Sequence, residues 1–469
     1  AAIHAVFTRA VELLTVIKQS ATELITRQGT VQFMPPDELI RLNPSADLVM
    51  IDEAAAIPAP MLTQLVNQYS RIVFTSTIAG YEGTGRGFEI RFKQTLNQLT
   101  PSWQAYSMDQ PIRWAANDPL EQFINQALML NAQPAQTNSR IIKSELKFTY
   151  WDRDKLLDDT QSLSHIIGLL TLSHYKTTPN DFKHLLDGSD VALYTLSKDD
   201  AIIATALIAI EDDLSDDLCQ QIWQGERRPK GHLLPQTLSC HAGFIDAPKY
   251  RYARVIRIAV HPNIHSKGIG SQLLDQLTAH IKHQGIDFVG SSFGATNRLL
   301  HFWRNNGFAT VRLGLTIEAT SNEYSAVVLK PLNSAAQTFR SSMQHKFNHE
   351  LPQLLIEFYP LLPAKLVIQL LQRQSVEYLP AMTEQEQADV DCYINHKREY
   401  EFASVALYKL TLLSIAKGLA ITLSDLQQQL LVAKVLRKEP WQVICDELGF
   451  NGKKMAAAEL KQTFSCFVG

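Results

Sequence analysis

The 469-residue sequence has little that would brace it covalently or through metal. Its five cysteines (Cys219, Cys240, Cys392, Cys445, Cys466) are scattered, with no C-x-x-C pair and no His–Cys cluster at zinc spacing. That excludes a disulfide framework and a structural zinc, and it fits a reducing cytoplasm. No low-complexity tract and no signal peptide are visible. The most apolar long stretch, Ala403 to Leu423, carries Lys409, Lys417 and several hydroxyls, so it reads as a buried core helix and not as a membrane span. A dominant charge of one sign is missing too: 44 Lys and Arg stand against 47 Asp and Glu, for a net charge of -3. No chain-wide field draws in nucleic acid, although such a sum hides local patches. The phosphate-cradling pattern G-x-x-x-x-G-K-[ST] occurs nowhere.

What is there is ordinary globular material, 45% hydrophobic and 19% charged, in a chain long enough for roughly two to four domains. Val6 to Thr26 has apolar residues at helical spacings of three and four. Short strands are expected at Val31 to Met34, Asp47 to Ile51 and Arg71 to Thr77, the last followed by the glycine-rich loop Gly80 to Gly87. Strands separated by helical stretches suggest a parallel sheet with helices on its faces. Asn131 to Ser139, rich in Asn, Gln, Pro and Thr, reads as a linker. A second α/β pattern runs from Glu145 to Leu332, with strands at Val191 to Leu196, Ile202 to Ile210, Val255 to Val260 and Phe288 to Ser292. Helices are expected at Gly268 to His283 and Asn297 to Asn305. Beyond Pro331 strand signals stop, so Asn333 to Gly469 is expected to be all-helical.

The sharpest chemical signal is R-I-A-V-H-P-N-I-H-S-K-G-I-G-S, Arg257 to Ser271. A β-branched strand runs into a loop, then a Gly-x-Gly opens a helix with apolar residues at Leu273, Leu274 and Leu277. Amides at a helix N-terminus are unpaired and sit at the positive end of its dipole, and glycines let phosphates come close. A lone G-x-G is a common helix-start turn. Here it occurs with the strand, the V-H-P exit, the basic Lys267 and an amphipathic helix, and together they resemble the signature loop of the GNAT acetyltransferases. That resemblance implies acetyl-CoA as cosubstrate. It places backbone groups of Ile258, Ala259 and Val260 on the pantetheine arm, and those of His265, Ser266, Lys267, Gly268, Ile269, Gly270 and Ser271 on the pyrophosphate. A backbone N–H at the splayed strand would polarise the thioester carbonyl. Many GNAT enzymes carry a Tyr four residues before the glycine of a terminal Gly-Phe, able to protonate the leaving thiolate. Here that position is Trp303, whose indole N–H is no usable acid near neutral pH. No general base is assigned: His232, His241 and His261 lie nearby in sequence, and each reads first as structural or surface.

In the N-terminal part, L-V-M-I-D-E-A-A (Leu48 to Ala55) has the form of a Walker B strand, an apolar strand delivering Asp52 toward Mg²⁺ and Glu53 toward an attacking water. Phe74-Thr75-Ser76-Thr77 adds a second strand ending in hydroxyls, as in helicase-like ATPases. With no phosphate-cradling loop and a start at Ala1 inside a helical stretch, truncation is expected, and efficient ATP hydrolysis by this chain is not.

These signals in this order, with I-D-E-A-A-A-I-P-A-P (Ile51 to Pro60), G-Y-E-G-T-G-R-G-F (Gly80 to Phe88), P-I-R-W-A (Pro111 to Ala115), H-Y-K-T-T-P (His174 to Pro179), R-R-P-K-G (Arg227 to Gly231) and R-I-A-V-H-P (Arg257 to Pro262), resemble the bacterial tRNA(Met) cytidine acetyltransferase family. The resemblance covers residues 1 to 330 strongly and the tail weakly. It implies an α/β protein in three parts: a partial RecA/helicase-like parallel-sheet ATPase portion (1–140), a GNAT N-acetyltransferase domain (141–332) and an α-helical C-terminal tRNA-binding domain (333–469). It implies acetylation of the exocyclic amine of the wobble cytidine in elongator tRNA(Met), with acetyl-CoA, ATP and Mg. It makes Asp52 and Glu53 the Walker B acids, Asp52 through Mg, and Arg113 a nucleotide contact. Two further acetyl-CoA positions of the family, an acid and an Arg, fall on Arg298 and Asn305 and are not carried over.

Arg227 to Arg257 holds Arg227, Arg228, Lys230, Lys249, Arg251, Arg254 and Arg257 against the single acid Asp246, with Tyr250 and Tyr252 interleaved. Such charge and aromaticity suits phosphate contact and base stacking. By itself the stretch reads as a solvated basic face; its place before the acetyl-CoA loop and the family resemblance favour RNA contact through Arg227, Arg228, Lys230 and Arg251. Gly452-Lys453-Lys454 could touch tRNA but reads as surface. Two other functions stay open: a protein or polyamine N-acetyltransferase, and an RNA-remodelling ATPase with a non-catalytic acetyl-CoA-binding platform.

Overall fold

The computed structural model describes residues 2–77, 92–93, 95–112, 114–137, 142–173, 179–188, 190–318, 321–372, 379 and 381–468. The loop Gly80 to Gly87, Arg113 and most of His174 to Pro179 lie outside the described residues. Two compact units partition the chain. One is Ala1–Ile208 with Arg257–Leu273 and Ala319–Asn322; the other is Ala209–Ile256, Leu274–Glu318 and Glu323–Gly469.

The first unit opens with helix Ala2–Leu13, where the expected helix over Val6 to Thr26 breaks off. Thr15, Val16 and Ile17 form a β-branched run that loses side-chain freedom in a helix. The chain instead makes β1 (Val16–Gln19), β2 (Glu23–Thr26) and β3 (Thr30–Gln32), an antiparallel meander. Ser20 Oγ turns the chain between the first two by accepting from Glu23 N at 3.0 Å. Leu24 and Thr26 bury alternately, so the apolar spacing has period two there. The expected strands at Asp47 to Ile51 and Arg71 to Thr77 are β4 (Val49–Ile51) and β5 (Ile72–Phe74), paired in parallel with helix Ala59–Gln68 between them. Their core holds Val49, Ile51, Leu62, Leu65 and Phe92. Among the described residues only one face of the pair is covered: Met50 and Val73 are exposed. Of the expected linker Asn131 to Ser139, residues 131–137 are described, and they are irregular but no free linker. Ala132 and Ala135 are buried, and a Cβ on Gly168 of helix Thr160–Ser173 would meet the Gln133 carbonyl carbon at 2.3 Å.

The large sheet contains β6 (Lys147–Trp151), β7 (Val191–Lys198), β8 (Ala201–Glu211), β9 (Tyr252–Val260), β10 (Phe288–Gly294), β11 (Ala309–Glu318) and β12 (Glu323–Pro331). Its order is β11-β12-β10-β9-β8-β7-β6. β6 and β7 are antiparallel, β9 and β10 are parallel, and β12 lies antiparallel between β10 and β11. Sequence reading had not singled out β11 and β12.

In the second unit, the C-terminal tail is helical from Ser334 to Val468, as expected, and Ala403 to Leu423 contributes helix Tyr400–Ala416. No helix among the described residues is long and apolar enough to cross a membrane. The tail shares one core with the strands before it: Leu313, Tyr324 and Ala326 pack with Leu351, Tyr359, Leu407 and Leu431. The expected boundary at residue 332/333 therefore marks a change of secondary structure and not a break in packing.

A buried ion pair pins the same unit. Glu211, fully buried at the end of β8, meets Arg254 Nε at 2.5 Å and accepts from Leu233 N and Leu234 N at 3.1 and 2.9 Å. Removing one partner leaves a buried charge uncompensated. Glu211→Ala is expected to lower unfolding free energy by about 3 kcal/mol, read from urea denaturation; no change in the midpoint would remove that role.

Candidate functional site

β9 and β10 pair in parallel over Tyr252–Arg254 and Phe288–Gly290, and β9 then runs on to Val260. Its exit is fastened by His261 N, which donates to Ile203 O at 2.8 Å. The His261 ring is buried and its Nδ1 accepts from Asn263 N at 3.3 Å. Burial holds its pKa below the ordinary histidine value, with a smaller push in the same direction from His265. His265 Nε2 lies 2.7 Å from Val260 O, which closes the turn. Ser266 and Gly268 then take positive φ (60° and 75°), and helix Ile269–Ile281 begins. It is seated by Ile269, Leu273, Leu274, Leu277 and Ile281, all buried. The opening amides of this helix have no carbonyl within it to bond, and they lie at its positive end.

Sequence reading missed a residue beside this loop. Gln272 Nε2 donates to Lys143 O at 3.0 Å, and a Cβ on Gly268 would lie 2.4 Å from Lys143 Nζ. The missing side chain of Gly268 thus gives an ammonium its seat at a helix N-terminus. Lys143 has no carboxylate partner among the described residues. An exposed ammonium beside the opening amides of a helix forms a cradle suited to an anion. Lys143 lies 125 residues upstream of the loop (268 minus 143), so no local motif could have shown it.

None of the three histidines weighed as a base is oriented by a carboxylate among the described residues. His232 Nδ1 lies against Lys230 O at 3.1 Å. Burial, then Arg312 and Arg228, push His241 below its ordinary pKa. Trp303 is buried, its ring 5.8 Å from Phe293 and 4.8 Å from Phe308, so the position that carries a Tyr in many GNAT enzymes is here part of an aromatic core. Arg298 and Asn305 are exposed, and Asn305 Nδ2 lies 2.8 Å from His301 Nε2.

In the basic stretch, Arg251 Nη2 pairs with Asp212 at 2.9 Å and Arg251 Nη1 donates to Gln284 O, with part of the side chain left exposed. Lys249, Arg254 and Arg257 are likewise paired, with Asp216 and Asp246, Glu211 and Asp181. All of these acids but Asp246 come from other segments, which is why the local count showed Asp246 alone. Tyr252 is buried and Tyr250 stacks on Phe339 at 4.7 Å, so neither ring is a platform for a base. Arg227, Arg228 and Lys230 are exposed.

At the tips of β4 and β5, Thr75 Oγ1 donates to Asp52 Oδ1 at 2.8 Å, and Glu53 Oε1 accepts from Thr77 N at 3.2 Å. Glu53 sits in the left-handed region (φ 49°), a conformation that costs a non-glycine residue about 1 kcal/mol and aims its side chain across to β5. The hydroxyl-tipped strand expected from Phe74 to Thr77 thus holds both acids. No cluster of three metal-ligating side chains occurs among the described residues.

Fold and loop together define an acetyltransferase of the GNAT type joined to a helicase-like portion and a helical tail. Family models agree: "RNA cytidine acetyltransferase NAT10/TcmA, helicase domain" matches residues 1–131, and "GNAT acetyltransferase 2" matches 165–286 and 279–333. The tRNA(Met) cytidine acetyltransferase TmcA of Nitrosococcus halophilus is 38% identical over 466 residues, covering 98% of this chain and 62% of that protein. Its namesakes in Vibrio cholerae and Haloferax volcanii are 32% and 33% identical, covering 97% and 94% of this chain and 62% and 58% of theirs. The chain is similar to tRNA(Met) cytidine acetyltransferases over nearly its whole length, and it spans about three fifths of the length of these relatives.

Three histidines, His165, His241 and His261, are held below their ordinary pKa, each chiefly by burial. The unfolded chain then takes up protons that the folded one refuses. The stability linked to these groups is full above the ordinary histidine value of about 6.5 and is lost as pH falls from there through the lowered folded values. The urea midpoint should drop between about pH 7.5 and about pH 5.5, and His261→Gln should flatten that slope. An equal slope in the variant would contradict the assignment.

Proposed function

We propose that this chain is the acetyl-transferring part of an RNA acetyltransferase that moves an acetyl group from acetyl-CoA to the exocyclic N4 amine of the wobble cytidine of elongator tRNA(Met). The observation that carries the proposal is the anion cradle of Gly268, the helix Ile269–Ile281 and Lys143. Its fit to a pyrophosphate rests on unpaired amides, a positive-φ glycine and an unpaired ammonium.

In this reading, backbone groups of Ile258, Ala259 and Val260 hold the pantetheine arm, and the backbone from His265 to Ser271 holds the pyrophosphate with Lys143. When bound, acetyl-CoA supplies the acyl group: the N4–carbon bond forms, the carbon–sulfur bond breaks, the amine proton goes to solvent, and the coenzyme leaves as the thiol. The cytidine amine is a poor nucleophile because its lone pair is delocalised into the ring, so placement carries much of the acceleration. Buried, neutral His261 holds the strand exit in place. Trp303, packed in the core, gives no proton to the leaving sulfur, which leaves water in that role.

Asp52 and Glu53 are proposed as the acids of an ATP site, Asp52 through Mg²⁺, with Arg113 as a nucleotide contact; their tie to Thr75 and Thr77 supports this. ATP use would reshape the anticodon loop to present the base. Of the basic stretch, exposed Arg227, Arg228 and Lys230 remain as RNA contacts.

The reaction is tested by incubating the chain, and a version extended at its N-terminus, with labelled acetyl-CoA, ATP, bulk tRNA and polyamine, followed by nucleoside digestion. Label in N4-acetylcytidine from the extended version, lost with Gly268→Glu, is expected; label in protein or polyamine instead would favour an ordinary amine acetyltransferase. Lys143 has its own test. Lys143→Ala should weaken calorimetric acetyl-CoA binding about tenfold, leave S-acetylpantetheine, which lacks the pyrophosphate, unaffected, and be rescued in part by Arg. Equal weakening for both ligands would make Lys143 a merely structural residue.

A further inference from the structure

A second cation-rich feature lies in the unit that contains the helical tail, on residues that the acetyl-CoA reading does not use. Helices Asn297–Asn305, Ser334–Glu357 and Ala364–Leu371 enclose a cavity of about 200 Å³ with the glycine turn at Gly307. Arg304, Arg340, Gln344, Asn348 and Gln369 line it, and no Asp or Glu does. Arg340, Gln344 and Asn348 follow at intervals of four along one helix and so project from one face. Arg304 donates to Gln372 Oε1 at 3.3 Å from the neighbouring wall, and Gln369 Nε2 donates to Asn297 O.

Arg340 is half-buried in this wall. Its Nε is buried without an acceptor, and no carboxylate pairs with it, among the described residues. Burial pushes its pKa below the ordinary arginine value, with no carboxylate pulling it back. A guanidinium keeps its proton, and one set in a concave wall without a neighbouring acid is suited to an anion from outside the chain.

We infer that the Arg304–Arg340 cavity is a phosphate-binding site that takes a backbone phosphodiester of the RNA substrate. A planar guanidinium forks two donors onto phosphate oxygens, and the neighbouring Gln and Asn amides suit phosphate and ribose oxygens. At about 200 Å³ the cavity is smaller than pockets that enclose a whole small molecule, about 300 Å³ and upward, so it receives one group of a larger ligand. On helix Asn297–Asn305, Leu300 and Arg304 face the cavity, whereas Arg298 and Asn305, the positions compared with the family's acetyl-CoA contacts, project elsewhere at 100° per residue. The inference rests on the RNA-acetylating reading and adds a contact that positions the RNA without reading its sequence.

The test measures binding of a tRNA(Met) transcript by fluorescence anisotropy across a salt series, for wild type, Arg340→Met, Arg340→Lys and Gln344→Glu, with melting temperatures for each. Arg340→Met should weaken RNA binding about tenfold and lower the salt slope by about 0.7 to 0.9. It should also melt no lower than wild type, because Arg340 makes no ion pair with the described residues that the substitution would break. Arg340→Lys should keep part of the affinity, and Gln344→Glu should lose it. An Arg340→Met chain that melts lower yet binds RNA as wild type does would make Arg340 structural and overturn the inference. Loss of acetyl-CoA or adenosine 3′,5′-bisphosphate binding in that variant would assign the cavity to a nucleotide and overturn it as well. A wild type that fails to bind the transcript removes the RNA reading and the inference together; a wild type that binds it no better than Arg340→Met removes the inference alone.

Discussion

At Gly268 a helix N-terminus and the ammonium of Lys143, two features of like sign, are held against each other in a space that exists because the residue between them has no side chain. Neither is stabilised by the other. The strand β9, the His261 anchor, the His265 turn and the buried face of the helix Ile269–Ile281 all serve to keep that juxtaposition in place. The arrangement is suited to an anion. On the proposed reading, a pyrophosphate bound there would anchor one end of a long ligand and let the strand fix the rest.

The same logic recurs elsewhere in different chemical dress. Asp52 and Glu53 are brought to the tips of β4 and β5 by hydrogen bonds to Thr75 and Thr77, with Glu53 in a conformation that few side chains adopt freely. Arg340 lies half-buried in a cavity that no acid lines among the described residues. Elsewhere the structure supplies the partner: Arg254 meets Glu211, Arg251 meets Asp212, and Lys249 meets Asp216 and Asp246. Much of the basic run before the acetyl-CoA loop is therefore ion-paired within the fold.

Much of the fold was legible because it is written in local patterns. The β-branched strand, the Gly-x-Gly and the helix with Leu273, Leu274 and Leu277 follow one another in the chain, so β9 and the helix after it were read close to their observed limits. The acids after β4 and the hydroxyls after β5 were legible for the same reason. What failed was non-local or ambiguous. Val16 to Thr26 satisfies helical spacing yet pairs as a hairpin, since a β-branched run outweighs periodicity over so few residues. β11 and β12 have no motif to announce them, and β12 is defined by its two neighbours. Lys143 and the partners of Arg251 and Arg254 sit far away in sequence, where composition windows do not reach.

The central claim is that the turn from His265 to Leu273 and the Lys143 segment together receive the diphosphate of acetyl-CoA. Hydrogen exchange followed by mass spectrometry, with and without saturating acetyl-CoA, reports on both segments at once. The account predicts slowed exchange in peptides that span His265–Leu273 and Lys143, with the tips of β4 and β5 unchanged. Binding that leaves both segments exchanging as in the free chain, while protecting another part of the molecule, would contradict it.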